Sequence, residues 1–115
     1  MKVDLRVERE SVDMNLFEGV EKVIKYRITN DNRFLVKDVD VTAKIIKEDG
    51  EETKGKYVKS ITGITPRLLP NKSTIVNITI KLNKEYKESV IIDEKEELAM
   101  IELDLNVTAT LVIGR

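Results

Sequence analysis

The sequence predicts an all-β fold, an antiparallel β-sandwich of seven to eight strands, on three observations. Apolar and polar residues alternate over several stretches, most plainly where Ile101, Leu103, Leu105, Val107, Ala109, Leu111 and Ile113 take every second position. Such stretches recur about every ten residues, the spacing of a two-sheet or small-barrel protein. No segment has a helical pattern long enough to cross over between parallel strands, which excludes a parallel α/β arrangement.

Each element follows from its pattern. Val3, Leu5 and Val7 alternate first, and Val12, Met14 and Leu16 then alternate on the opposite parity after 8–11. This predicts a first strand that breaks and resumes, either passing from one sheet to the other or forming a plain hairpin. Glu18-Gly19 marks a turn. Ile24, Tyr26 and Ile28 alternate with Lys25, Arg27 and Thr29 in a second strand, which ends at Asn30-Asp31-Asn32, residues whose side chains bond the local backbone. Val39, Val41, Ala43 and Ile45 form the inward face of the next strand up to Asp49-Gly50, a hairpin signal.

Tyr57, Val58 and Ile61 suggest a short edge strand, and Pro66 and Pro70 bracket an irregular connection. Val76, Ile78, Ile80 and Leu82 give another clear strand. The polar stretch 83–88 has room for one helical turn, Val90 to Ile92 reads as a short strand, and 93–97 reads as a charged loop. The last strand, about 43 Å long over 101–113, exceeds the usual length, which predicts a bulge or bend near Asn106.

Composition narrows the function more by exclusion than by indication. The 115 residues make a single domain, 1–115, with enough chain to bury roughly 60–70% of its unfolded surface. There is no His, Cys or Trp, so the side chains that most often act as nucleophile, general base or metal ligand at neutral pH are missing. Twenty basic and 21 acidic residues are interspersed, leaving a net charge of -1 and no basic patch for phosphates. With Phe17, Phe34, Tyr26, Tyr57 and Tyr86 as the only aromatics, platforms for stacking bases or sugars are poorly supplied. Charged residues at 36%, led by Lys and Glu, together with the absence of Gln and Cys, are like the composition of hyperthermophile proteins.

No apolar run approaches a bilayer span, and residues 1–10 lack the apolar core of a secretory signal. The expectation is a soluble chain for which the cytoplasm is favoured over the cell surface, and which fits either a free-standing protein or one module of a longer one.

Three groups of residues invite a chemical reading. Asp93, Glu94, Glu96 and Glu97 gather oxygen donors for a hard cation, but no Gly provides the sharp turn and the spacing is not that of a calcium loop, so a solvated charge run is expected. Asn30, Asp31, Asn32, Asp38 and Asp40 form a second oxygen-rich group, which turn chemistry and the solvent face of a strand explain. No Gly-rich phosphate loop or Ser elbow is present, so no catalytic residue, cofactor site or metal site is assigned. Glycosylation sequons at Asn71, Asn77 and Asn106 exceed chance for this composition, although Thr on polar strand faces generates such triplets by itself.

The succession Tyr26-Arg27-Ile28-Thr29-Asn30, Val39-Asp40-Val41-Thr42-Ala43, Leu69-Pro70-Asn71-Lys72-Ser73-Thr74 and Ile101-Glu102-Leu103 resembles the immunoglobulin-like repeat modules of archaeal and bacterial proteins, particularly CARDB-type domains. The resemblance spans about residues 20 to 113. It departs at Asp31, where Gly is common, and at Asn71, which follows Pro70 in place of Gly but tolerates left-handed geometry. It implies an immunoglobulin-like or fibronectin-like β-sandwich used in adhesion, scaffolding or accessory roles, with no catalytic residue to carry over.

Together these readings predict a non-catalytic module that binds a protein partner or itself through an edge strand, with 56–61 and the first strand as the edges. The alternative is an extracellular module of a surface layer, pilus or adhesin. Nucleic-acid binding, membrane insertion and a small-molecule ligand are not expected.

Overall fold

The structure, a computed structural model, describes residues 1–16, 19–86 and 93–113. Among these residues seven strands and one helix follow in order: β1 (Lys2–Asp4), β2 (Arg6–Asn15), β3 (Glu21–Thr29), β4 (Val36–Ile46), β5 (Tyr57–Thr62), β6 (Ser73–Leu82), α1 (Glu94–Ala99) and β7 (Glu102–Leu111). They build two antiparallel sheets, one ordered β1-β7-β4 and the other β2-β3-β6-β5. The inward residues read from the alternation meet in one hydrophobic cluster: Ile24, Tyr26 and Ile28 of β3 and Val76, Ile78 and Ile80 of β6 from one sheet, Val41, Ala43, Ile45, Val107 and Ala109 from the other. The Val90 to Ile92 segment and Glu18 of the Glu18-Gly19 turn lie outside the described residues.

The broken first strand resolves into two separate events. At Leu5, which is buried and donates its N–H to the Val107 carbonyl at 3.0 Å, the chain leaves the three-stranded sheet and enters the four-stranded one. The change of parity comes later, inside β2, where Glu10 is an extra residue between the Arg9–Tyr26 and Ser11–Lys25 pairs. That bulge lets Val7 and Met14, of opposite parity, both pack against the core. The plain hairpin is excluded, because β1 pairs with β7 and β2 with β3.

The bulge expected near Asn106 lies instead on the facing strand. Between Lys37–Thr110 and Asp40–Thr108 the extra residue belongs to β4, and Asp38 takes φ of 52° to absorb it. β7 has a strand on both sides, whereas β4 is an edge, and beside its bulge the Val39 N–H is taken up by the Pro66 carbonyl rather than by a strand. β7 also ends earlier than the alternation, and Ile113 is 62% exposed.

At Asp49-Gly50 the tight turn forms, with Gly50 at φ of 87° donating to the Lys47 carbonyl at 2.9 Å. The hairpin beyond it is a single rung, Ile46 opposite Glu52, before Lys54 and Gly55 turn the chain across to β5 in the other sheet. The run 93–97 is the start of a helix rather than a loop. The Asp93 carboxylate caps it by accepting from the Glu96 N–H at 3.2 Å, and Glu94, Glu96 and Glu97 sit in its first turn, where negative charge favours the helix.

Candidate functional site

The sheet edges follow from strand order. The four-stranded sheet ends in β2 and β5, the two segments expected at edges, and the three-stranded sheet ends in β1 and β4. The alternation did not mark β4 as an edge, because its inward face is as apolar as that of a central strand.

Main-chain direction decides what each edge offers. Asn30 donates to the Lys72 carbonyl and Asn83 to the Lys56 carbonyl, which fixes the bonding phase across β3, β6 and β5. In antiparallel ladders bonded and open groups alternate. The N–H and C=O groups of Val7, Val12 and Met14 on β2, and of Lys59 and Ile61 on β5, therefore point away from their sheet. On β4 much of the edge is covered: Val36 exchanges two hydrogen bonds with Leu68, Val39 donates to Pro66, and Ile45 accepts from Thr53. β1 is three residues long. The extended open edges are thus β2 and β5.

Beside β5 two clefts share Tyr57. One, of about 260 Å³, lies between Ala43, Lys44 and Ile45 of β4 and Tyr57 and Lys59 of β5. The other, of about 340 Å³, is bounded by Lys47, Glu48, Asp49, Tyr57, Glu97, Met100 and Ile101. At their junction the Tyr57 hydroxyl donates to Glu97 of α1, Lys56 forms an ion pair with the same carboxylate, and the Lys56 ammonium stands 5.9 Å from the Tyr57 ring and 5.7 Å from the Tyr86 ring. Burial pushes the Glu97 carboxyl upward, but the bonds from Lys56 and Tyr57 and the nearby Lys47 charge outweigh it and hold the group below its ordinary value. The arrangement ties the edge strand to the helix. Nothing in the sequence signals it, since Lys56 and Glu97 are 41 positions apart.

A second polar cluster starts from a lysine buried in the core and reaches the surface. Lys22 occupies an inward position of β3, is 3% exposed, and donates to the Ala99 carbonyl at 3.1 Å and the Ile101 carbonyl at 2.5 Å. It closes the C-terminal end of α1, whose last turn carries no basic residue of its own. Burial lowers its pKa, while the Glu102 charge works the other way. Glu102 in turn takes a hydrogen bond from Arg9 of β2 at 2.6 Å, joining the two sheets on that flank. A lysine in phase with Ile24, Tyr26 and Ile28 is the signal by which the sequence marks this position.

Of the oxygen-rich group, Asn30 is fully buried. Its amide donates to the Phe34 and Leu68 carbonyls, both at 2.9 Å, and its side-chain oxygen accepts from the Asn32 N–H, so it joins the 31–35 and 66–72 connections. Asp31 pairs with Arg6, while Asp38 belongs to the bulge and Asp40 to the exposed face of β4. The structure does not converge these carboxylates, and among the described residues there is no group of acids placed to hold a metal ion. Asn71 adopts φ of 62°, the left-handed geometry expected after Pro70. Asn71 and Asn106 are exposed and Asn77 is half-buried.

Among the described residues no helix is long and apolar enough to cross a membrane. No protein-family model, curated protein or solved structure matches the chain.

Proposed function

We propose that this chain is a non-catalytic protein-interaction or structural module, an immunoglobulin-like or fibronectin-like β-sandwich of the kind CARDB-type domains resemble, acting through its sheet edges. The observation that carries the reading is the outward main chain of β2 and β5: alternate N–H and C=O groups along these edges face away from the sheet, ready to take an added strand. Main-chain bonds supply affinity in such a contact, and alternating side chains set its register. The non-catalytic part rests on side-chain chemistry. Among the described residues the perturbed groups are Arg9, Lys22, Tyr26 and Glu97, and each is committed to a contact that holds the fold: Arg9 bonds Glu102 and Tyr26, Lys22 the carbonyls that end α1, and Glu97 the Lys56 and Tyr57 side chains.

The test is photo-cross-linking in the cells that make the protein, with a photoreactive residue at Lys59 or Val12 on the edges and at Lys25 or Asn106 on the sheet faces. Adducts concentrated at the edge positions are expected. Adducts from the faces alone, or equally from all four positions, contradict edge addition.

A second reading, an extracellular module of a surface layer, pilus or adhesin, is favoured by the exposure of Asn71 and Asn106 within their sequons. Intact mass from native cells decides it: a glycan increment or a much larger parent chain supports this reading, and an unmodified 13.2 kDa species contradicts it.

A further inference from the structure

The residues of β2 form a pattern that is complementary to itself. Before the Glu10 bulge the open main-chain positions are Val7 and Arg9; after it, the change of parity makes Val12 and Met14 the open ones. When two copies of β2 are laid antiparallel, only registers that set an odd position against an even one bring Val7 against Val12, open group to open group. One such register, centred on Arg9 and Glu10, sets Arg6 against Asp13, Val7 against Val12 and Glu8 against Ser11, each pair occurring twice. The two bulges then coincide, so neither strand falls out of step.

Side-chain faces agree with this pairing. Arg6, Glu8, Ser11 and Asp13 share the outer face of the sheet, opposite the outward residues of β3, and Val7 lies on the inner side with the core. Asp13 is exposed and, among the described residues, forms no ion pair, whereas Arg6 is exposed beside Glu8 and Asp31. Charge selects the register. A shift of two residues one way sets Glu8 against Asp13, two like charges. The opposite shift sets Val12 against Leu5, whose N–H is already held by Val107. Charged residues and a bulge ordinarily protect an edge from wrong partners; here both are matched by a second copy.

The geometry points to a symmetric dimer in which β2 pairs with β2 of a second copy, joining two four-stranded sheets into one of eight strands. This rests on the edge-addition reading and names its partner as the chain itself.

Sedimentation velocity of the purified chain from micromolar to millimolar concentration tests it with three variants. The parent chain is expected to dimerise with rising concentration. Asp13→Arg and Arg6→Asp, each measured alone, set like charges opposite each other and are expected to weaken the dimer about tenfold or more. An equimolar mixture of the two restores Arg–Asp pairs on both sides of the axis and recovers association, which a misfolded variant would not do. Val12→Pro removes an outward N–H that the ladder with β3 does not use, and is expected to leave a folded monomer. A parent chain that is monomeric throughout, or a dimer indifferent to these changes, overturns β2 self-pairing. Edge addition to a foreign strand would still be decided separately by the cross-linking positions.

Discussion

Three buried or half-buried polar side chains anchor this fold, and each can be tested singly. Replacing Asn30 with Ala leaves the Phe34 carbonyl and the Asn32 N–H without their partner and the Leu68 carbonyl with its bond from Val36 alone, so a loss of about 2–4 kcal/mol is expected in urea denaturation, with the slope unchanged. Lys22→Met removes a charged donor from two carbonyls but also relieves the burial of an ammonium, so the net loss is expected to be smaller, about 1–2 kcal/mol. Glu97 gives a pH dependence. Its folded pKa lies below the unfolded one, so its contribution is complete above the ordinary carboxylate value and is lost as pH falls through the depressed value. In NMR titrations Tyr57→Phe is expected to move the Glu97 midpoint upward; an unchanged midpoint would mean that the Tyr57 bond does not hold the carboxylate.

The strands test differently, because their errors are errors of register. Deleting Glu10 removes the bulge and forces one half of β2 to present its opposite face, so either Val7 or Met14 turns to solvent and stability falls. Gly63→Ala is expected to be more damaging than a surface change, since Gly63 sits at φ of 90° and a Cβ there would lie 2.5 Å from the Ile75 carbonyl oxygen. Comparing both variants with the parent by thermal unfolding checks these expectations. The strands themselves were legible because burial on one face writes a period of two into β3, β4, β6 and β7. The parity change in β2 was equally visible, but the same signal serves a bulge and a sheet crossing, and here the two occur five residues apart. The last strand hid its partner's bulge, since the extra residue was absorbed at Asp38 in β4, between Lys37 and Val39 near the start of that strand. The helix escaped notice because six residues cannot stand alone in water and α1 is held by burial of Leu98, by its Asp93 cap and by Lys22 from another strand. Of the candidate site, the edge positions of β2 and β5 were readable, whereas the joining of Lys56, Tyr57 and Glu97 is purely a product of the fold.

At the scale of the whole molecule the chain is a rod, 60 × 25 × 23 Å, with a radius of gyration of 16.4 Å, against about 13 Å for an average chain of this length. An elongated body with long strands offers much edge for its mass, which suits a module that works by lateral contact. Its two flanks differ. On one, Leu5 carries the chain between sheets and Arg9 bonds Glu102; on the other, β4 and β5 face each other across the cleft at Tyr57. Small-angle scattering at low concentration is expected to return the rod dimensions, and a compact value would contradict them. The central claim is that β2 and β5 present open main chain to a partner strand. Amide hydrogen exchange resolved by NMR at low concentration tests it most directly. Fast exchange is predicted at Val7, Val12, Lys59 and Ile61, with slow exchange at the inward-bonded Ser11, Asp13, Val58 and Ser60 between them; uniform protection along either strand would mean that its edge is already covered and would contradict the account.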